Sequence, residues 1–340
     1  MFLKEEIISS PSGVLPYSAY DKYSTKMYFS LLPNHTSFQS GYLGVQPSYV
    51  QGTFHLRFPE ENPLNASSID LKFTGKEDIK FTRNYGNNST TYYAKRKLEC
   101  GVIRLWESSS PGKFEKIFKL DVPFKILLVN DLPPSLSLVR KRAKIYYRLK
   151  VIITRETKLL SFKSGKKSIS AKCPIFQYLP PLRPDPFLTL LDRNSKDKGG
   201  APDNPNIRHV MTLNRTDFAP REMIIVVVQL TLLNNSVAVR EISLGLKEYS
   251  HLVSGRHSDS DKHYIVKEKI IGAQLQLKAG TLNQLYGEIR VAIPEKQAYP
   301  TSLLSQCVQI KHKVKLRVHL SGAKDIRLEK QIMFAKRALL

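Results

Sequence analysis

The chain carries one strand pattern in both of its halves, and that repetition limits the folds open to it. The first half places apolar residues at Val50, Gly52, Phe54 and Leu56, then Ile69, Leu71, Phe73 and Gly75, then Ile145, Tyr147, Leu149, Val151 and Ile153. The second half places them at Val226, Val228, Leu230 and Leu232, then Ile242, Leu244 and Leu246, then Val314, Leu316, Val318 and Leu320. Ile69 and Ile145 stand 76 positions apart, and Ile242 and Val314 stand 72 apart. Alternating apolar positions define strands with one buried face. Two matched series predict two tandem antiparallel β-sandwich domains of immunoglobulin-like type.

The chain is long enough for both. Its 340 residues and 41% hydrophobic content supply two cores. The 20 prolines and 17 glycines fit many turns. The longest apolar stretch, Met223 to Leu233, is broken by Gln229 and Thr231 and falls short of the roughly 20 residues of a spanning helix. Met1-Phe2-Leu3-Lys4-Glu5-Glu6 lacks the apolar core of a signal peptide. Cys100, Cys173 and Cys307 are scattered, odd in number and without metal spacing. Together these features predict a reducing, cytoplasmic setting.

Charge points to the kind of partner. Against 53 Lys and Arg stand 29 Asp and Glu, a net charge of +24. Such a surface suits phosphorylated protein, anionic lipid or nucleic acid. The clearest basic element is the strand from Lys144 to Arg155. Lys144, Arg148 and Lys150 project from its polar face, just after Arg140-Lys141-Arg142. These six residues form the predicted phosphate-binding face, since charge-assisted contacts to Arg and Lys are strong. The plain alternative is a solvated strand face whose charges discourage edge pairing. Lys311, Lys313, Lys315 and Arg317 make a second basic face in the other half.

Catalytic patterns are missing: no His-Glu-x-x-His, Gly-x-Ser-x-Gly, Cys-x-x-Cys or Gly-x-Gly-x-x-Gly occurs. No catalytic residue, cofactor or metal is predicted. His251, His257 and His263, with Asp259 and Asp261, make a polar cluster read as part of a loop over 254–262. The basic run from Phe162 to Ser168 reads as a hairpin turn. Residues 84–91 read as a polar loop, and 328–335 as a short terminal helix. Pro180, Pro181, Pro184 and Pro186 stiffen a predicted interdomain hinge. The expected organisation is a first sandwich over 1–177, a proline-rich connection over 178–206 and a second sandwich over 207–340.

Several phrases resemble one family. Val50-Gln51-Gly52-Thr53-Phe54 followed by Ile69-Asp70-Leu71-Lys72-Phe73-Thr74-Gly75 resembles the paired strands that open an arrestin N-domain. Pro123-Phe124, Leu132-Pro133-Pro134-Ser135 and Ile145-Tyr146-Tyr147-Arg148-Leu149-Lys150-Val151 resemble a stretch of α-arrestin-type proteins. Phe218-Ala219-Pro220-Arg221-Glu222-Met223-Ile224 resembles the opening of the arrestin C-domain, with Arg221 where the family usually has Gly. His312 and Val314 stand where an aromatic phrase is expected.

The resemblance implies a non-enzymatic, cytoplasmic adaptor in trafficking, endocytosis or signalling, recruited to plasma membrane or endosomes. It implies as partners the cytoplasmic tails of membrane proteins, phosphorylated or not, and anionic lipids. A ubiquitin ligase stays among the partners it allows, although the Pro-Pro-x-Tyr docking motif is absent. A basic nucleic-acid-binding sandwich and a retromer-type coat or sorting subunit are the alternatives. The first predicts steep salt dependence, and the second a stable protein partner with little need of phosphate.

Overall fold

A computed structural model describes residues 15–21, 24–110, 112–138, 143–156, 165–182, 189–190, 207–271, 276–277, 284–295, 299–303 and 305–338. The chain divides into two compact units, Met1–Gln177 with Ser254–His257, and Tyr178–Val253 with Ser258–Leu340. Among the described residues the only helical turn is Tyr17–Ala19, and none is a helix long and apolar enough to cross a membrane.

Unit 1 contains β1 (Met27–Ser30), β2 (Gln39–Ser40), β3 (Tyr49–Arg57), β4 (Leu64–Tyr85), β5 (Asn88–Glu107), β6 (Glu115–Ile117), β7 (Lys119–Leu127), β8 (Leu136–Leu138), β9 (Ala143–Arg155) and β10 (Lys166–Lys172). One antiparallel sheet places β3 between β7 and the short strands β1 and β2. The other runs β10-β9-β4-β5, with β6 on β4 and β8 on β9. Their inner faces form the core. Phe29 lies 5.7 Å from Phe54 and 6.0 Å from Phe124. Ile69, Leu71, Phe73, Leu149, Val151 and Ile153 are buried on the second sheet. Each such side chain contributes about 1.5–3 kcal/mol by leaving water.

Unit 2 contains β11 (Tyr178–Leu179), β12 (Thr189–Leu190), β13 (Ile207–Leu213), β14 (Asp217–Phe218), β15 (Met223–Leu232), β16 (Ala238–Ser254), β17 (His257–Ile271), β18 (Gln276–Leu277), β19 (Gln284–Ala292), β20 (Val308–Ser321), β21 (Ile326–Phe334) and β22 (Lys336–Arg337). Its sheets run β12-β13-β15-β19-β18 and β14-β21-β20-β16-β17. Val226, Val228, Ile289 and Val291 from the first meet Leu244, Leu246, Val314 and Leu316 from the second. Pairing is antiparallel except for β14 with β21 and β11 with β22.

Three expectations are corrected. Residues 84–91 are the tip of one long β4–β5 hairpin, because both strands run past the core and can carry polar side chains on either face. Residues 254–262 likewise belong to the β16–β17 hairpin, with only 255–256 between its strands. The segment 328–335 is mostly β21, whose Ile326, Leu328, Ile332 and Phe334 alternate into the core.

The Arg221 departure has a local explanation. Ala219-Pro220-Arg221-Glu222 closes a turn through Glu222 N–H to the Ala219 carbonyl at 3.2 Å, with Arg221 at φ 69°. Proline second and a left-handed residue third define a type II turn, whose third place favours glycine. Arg221 carries the strain while bonding outward, its N–H to the Ile293 carbonyl at 3.0 Å and its guanidinium to Glu295 at 2.7 Å.

Candidate anion-binding faces

The polar face of β10-β9-β4-β5 gathers positive charge in cross-strand rows. Lys144 stands opposite Asp78, which stands opposite Lys95. The next row is Tyr146, Lys76 and Lys97, and the row after it Lys172, Arg148 and Thr74. Lys150 faces Lys72, and Lys80 faces Tyr93. Inward residues of the same strands, from Leu71 to Leu149, are buried. The predicted Lys144, Arg148 and Lys150 are thus three members of a broader field. Strand alternation showed those three; Lys72, Lys76, Lys95 and Lys97 required the register.

Local contacts hold the field. Lys144 Nζ lies 5.1 Å and the Arg148 guanidinium 5.0 Å from the Tyr146 ring centre. Arg148 also meets Asp21 at 3.0 Å, which reduces what it offers an outside anion. Arg140, Lys141 and Arg142 lie outside the described residues.

Lys311, Lys313, Lys315 and Arg317 share the outer face of β20, but β21 supplies counter-charge. Lys313 and Lys315 both reach Glu329, at 2.5 and 2.8 Å, and Arg317 reaches Asp325 at 2.6 Å. Hydrogen bonding to Arg317 holds Asp325 below the usual carboxylate range. Burial alone would raise Glu329, but its bonds to Lys313 and Lys315 outweigh that and hold it low. Both pairs therefore add stability above the ordinary carboxylate range and lose it as pH falls through their lowered values. This face is internally neutralised to a degree the β9 face is not.

The hinge prolines divide. Pro184 and Pro186 lie outside the described residues. Pro180 is tied to unit 2 by Arg337, a residue that nothing in the sequence marked out. All five guanidinium donors of Arg337 are used. They go to Glu222 Oε1 and Oε2 at 2.5 and 2.9 Å, Asp217 Oδ2 at 2.9 Å, the Asp217 carbonyl at 3.2 Å and the Pro180 carbonyl at 2.6 Å. Lysine cannot reproduce a planar five-donor fork. Arg337→Lys is expected to cost about 2 kcal/mol of unit 2 stability, read as a lower urea midpoint with unchanged slope.

The structure also orders a serine, a histidine and an aspartate that share no sequence motif. Ser30 Oγ lies 2.8 Å from His55 Nε2, and His55 Nδ1 lies 2.6 Å from Asp121 Oδ1. Tyr28 stacks on the imidazole at 4.7 Å. That order matches a nucleophile–base relay, but acyl transfer also needs prepaired oxyanion donors and exclusion of water. Here Asp121 is 41% exposed and shares the same oxygen with Arg57 at 2.6 Å. We read the cluster as a brace across β1, β3 and β7. The histidines of the β16–β17 hairpin are also separately engaged, His251 with Ser260 at 2.7 Å and His263 3.8 Å from Glu248. The described residues hold no group of three or more His, Cys, Asp or Glu placed to bind a metal ion.

Residues 206–334 match the family model of the arrestin (or S-antigen) C-terminal domain. That span covers both five-stranded sheets of unit 2 apart from β12. No curated protein matches the chain. Residues 206–334 therefore carry a domain of the arrestin C-terminal type, and the described residues as a whole are almost entirely β-strand in mostly antiparallel sheets.

Proposed function

We propose that this protein is a non-enzymatic arrestin-like adaptor that binds cytoplasmic parts of membrane proteins, with the β9 face of unit 1 as its anion-binding surface. The observation that carries this reading is the field of Lys72, Lys76, Lys95, Lys97, Lys144 and Lys150 across adjacent strands. In this reading residues 1–177 act as the arrestin N-domain, 207–340 as the C-domain, and 178–206 connect them. The protein works in the cytoplasm and is recruited to membranes carrying its cargo.

Lys72, Lys144 and Lys150 are the residues to reverse, because none is needed to hold Asp21 as Arg148 is. Charge at an anionic surface is worth about 1 kcal/mol per basic residue. The triple change to Glu is therefore expected to weaken binding by about 100-fold or more. Binding is measured on phosphopeptide resin and on phosphoinositide vesicles, with duplex DNA as competitor. Undiminished binding by the folded variant removes this face from the reading. Full displacement by DNA at equal phosphate would favour a nucleic-acid partner.

A further inference from the structure

The outer face of the sheet β14-β21-β20-β16-β17 sets aromatic rings among its charges. Leu244, Leu246, Val314, Leu316 and Leu328 belong to the core. Strand alternation therefore turns Gly245, Lys247 and Tyr249 outward on β16, Lys311 to Arg317 at every second place on β20, and Arg327 and Glu329 on β21. Register places Gly245, Lys315 and Glu329 in one row and Ser243, Arg317 and Arg327 in the next. On the other side come Lys247 with Lys313, then Tyr249 with Lys311.

Gly245 leaves a gap in this face, and Tyr264 of β17 covers it. A Cβ at Gly245 would lie 3.0 Å from Tyr264 Cδ1 and Cε1, so a larger residue there would push the ring away. Tyr264 is nevertheless 43% exposed. Beside it opens a cleft of about 420 Å³ walled by Lys315, Arg317, Arg327 and Glu329. Lys247 Nζ stands 4.9 Å from the Tyr264 ring centre and 5.7 Å from that of Tyr249, so the two rings are neighbours. Glu329 and Asp325 offset only Lys313, Lys315 and Arg317 in part. Lys247, Lys311 and Arg327 have no acidic partner among the described residues.

A phosphate by itself needs only the cations. Rings interleaved with them suit a ligand that alternates phosphates with flat aromatic groups. Single-stranded nucleic acid is that ligand: its bases stack on aromatic side chains while Lys and Arg follow the backbone. Sheet faces that display aromatics bind unpaired bases in this way. The cleft is large enough for one nucleotide, its base against Tyr264 and its phosphate toward Arg317 and Arg327. A duplex keeps its bases stacked on one another and cannot offer them to the rings.

We infer that this face of unit 2 is a platform for single-stranded nucleic acid, with Tyr264 and Tyr249 as stacking rings and Lys247, Lys315, Arg317 and Arg327 as phosphate contacts. Fluorescence anisotropy of a short labelled single strand with the full chain, at near-physiological salt, tests it. Tyr264→Phe keeps a ring and should bind as the parent does. Tyr264→Ala should bind at least about 5-fold more weakly, the loss of one stacked base. Arg327→Ala should lower the slope of log affinity against log salt by about 0.7, one phosphate's share for a single strand. The Lys72, Lys144 and Lys150 variant should keep most of its strand binding, which separates this site from the anion-binding face of unit 1. Inorganic polyphosphate and a duplex of the same sequence, at equal phosphate, should compete weakly. The inference fails if the parent does not bind the strand, if Tyr264→Ala binds as Tyr264→Phe does, if either competitor displaces the strand completely, or if the unit 1 variant abolishes binding.

Discussion

Glu248→Ala is expected to lower the stability of unit 2 by about 3 kcal/mol, because it leaves buried hydrogen-bonding groups without their acceptor. Glu248 and His312 are 1% and 0% exposed. The carboxylate Oε2 accepts the Tyr299 N–H at 3.0 Å and lies 3.2 Å from His312 Nε2. On its other side His312 Nδ1 lies 2.9 Å from Thr301 Oγ1, which accepts the Phe334 N–H at 2.9 Å. One carboxylate thus joins β16, β20 and the segment before β20 to the end of β21. Truncation strands the imidazole where water does not reach and takes from the part-buried Tyr299 amide its Glu248 acceptor. Glu248→Gln keeps the shape and an acceptor oxygen, and should lose less than half as much. Glu248→Leu with His312→Phe removes both polar partners and should recover most of the loss. Urea unfolding followed by hydrogen exchange in β16 and β20 measures each. A loss under about 1 kcal/mol for the alanine variant would mean the network adds no more than an ordinary hydrogen bond.

Gly75→Ala is expected to cost unit 1 about 3 kcal/mol through overpacking. A Cβ at Gly75 would sit 2.5 Å from Tyr147 Cε1 and 3.0 Å from Leu98 Cβ. Tyr147 cannot step aside. It is 2% exposed, stacks on Phe73 at 5.7 Å, and donates its hydroxyl to the Pro133 carbonyl at 2.6 Å. Burial holds that hydroxyl above the ordinary phenol range. Shrinking the ring should relieve the clash, so Gly75→Ala should cost much less in a Tyr147→Leu background, a clear departure from additivity. The chain has one tryptophan, Trp106 on β5, so its fluorescence reports unit 1 separately. Equal costs in both backgrounds would show that the ring is not what excludes a side chain at Gly75.

Much of this architecture was legible because strand alternation is a local signal. The faces of β3, β9 and β20 follow from period-two spacing, which placed Lys144, Arg148, Lys150 and the Lys311–Arg317 stripe correctly on polar surfaces. What failed was whatever depends on pairing. Residues 84–91 looked like a loop because strands beyond the core lose their apolar alternation. The segment 328–335 looked helical because Lys330 interrupts the alternation of β21. The counter-charges Asp325 and Glu329 come from a neighbouring strand, and Asp21 lies over a hundred positions from Arg148, so no spacing rule reveals either. The glycine noticed as missing at position 221 was informative, because a turn type demands a backbone angle and the substitution marks where that demand is met at a cost.

The closure of unit 2 also sets a schedule for its synthesis. Arg337 and the Pro180 carbonyl it binds are 157 positions apart. At cellular rates of elongation, roughly 8–30 s separate the appearance of the two on a ribosome. Until then β11 has no parallel neighbour, and the carboxylates of Asp217 and Glu222 wait without their guanidinium. A chain stopped short of Arg337 would leave Asp217 without its guanidinium and the two-stranded β11–β22 sheet unformed, while Glu222 kept Arg215 and the Ala219 amide.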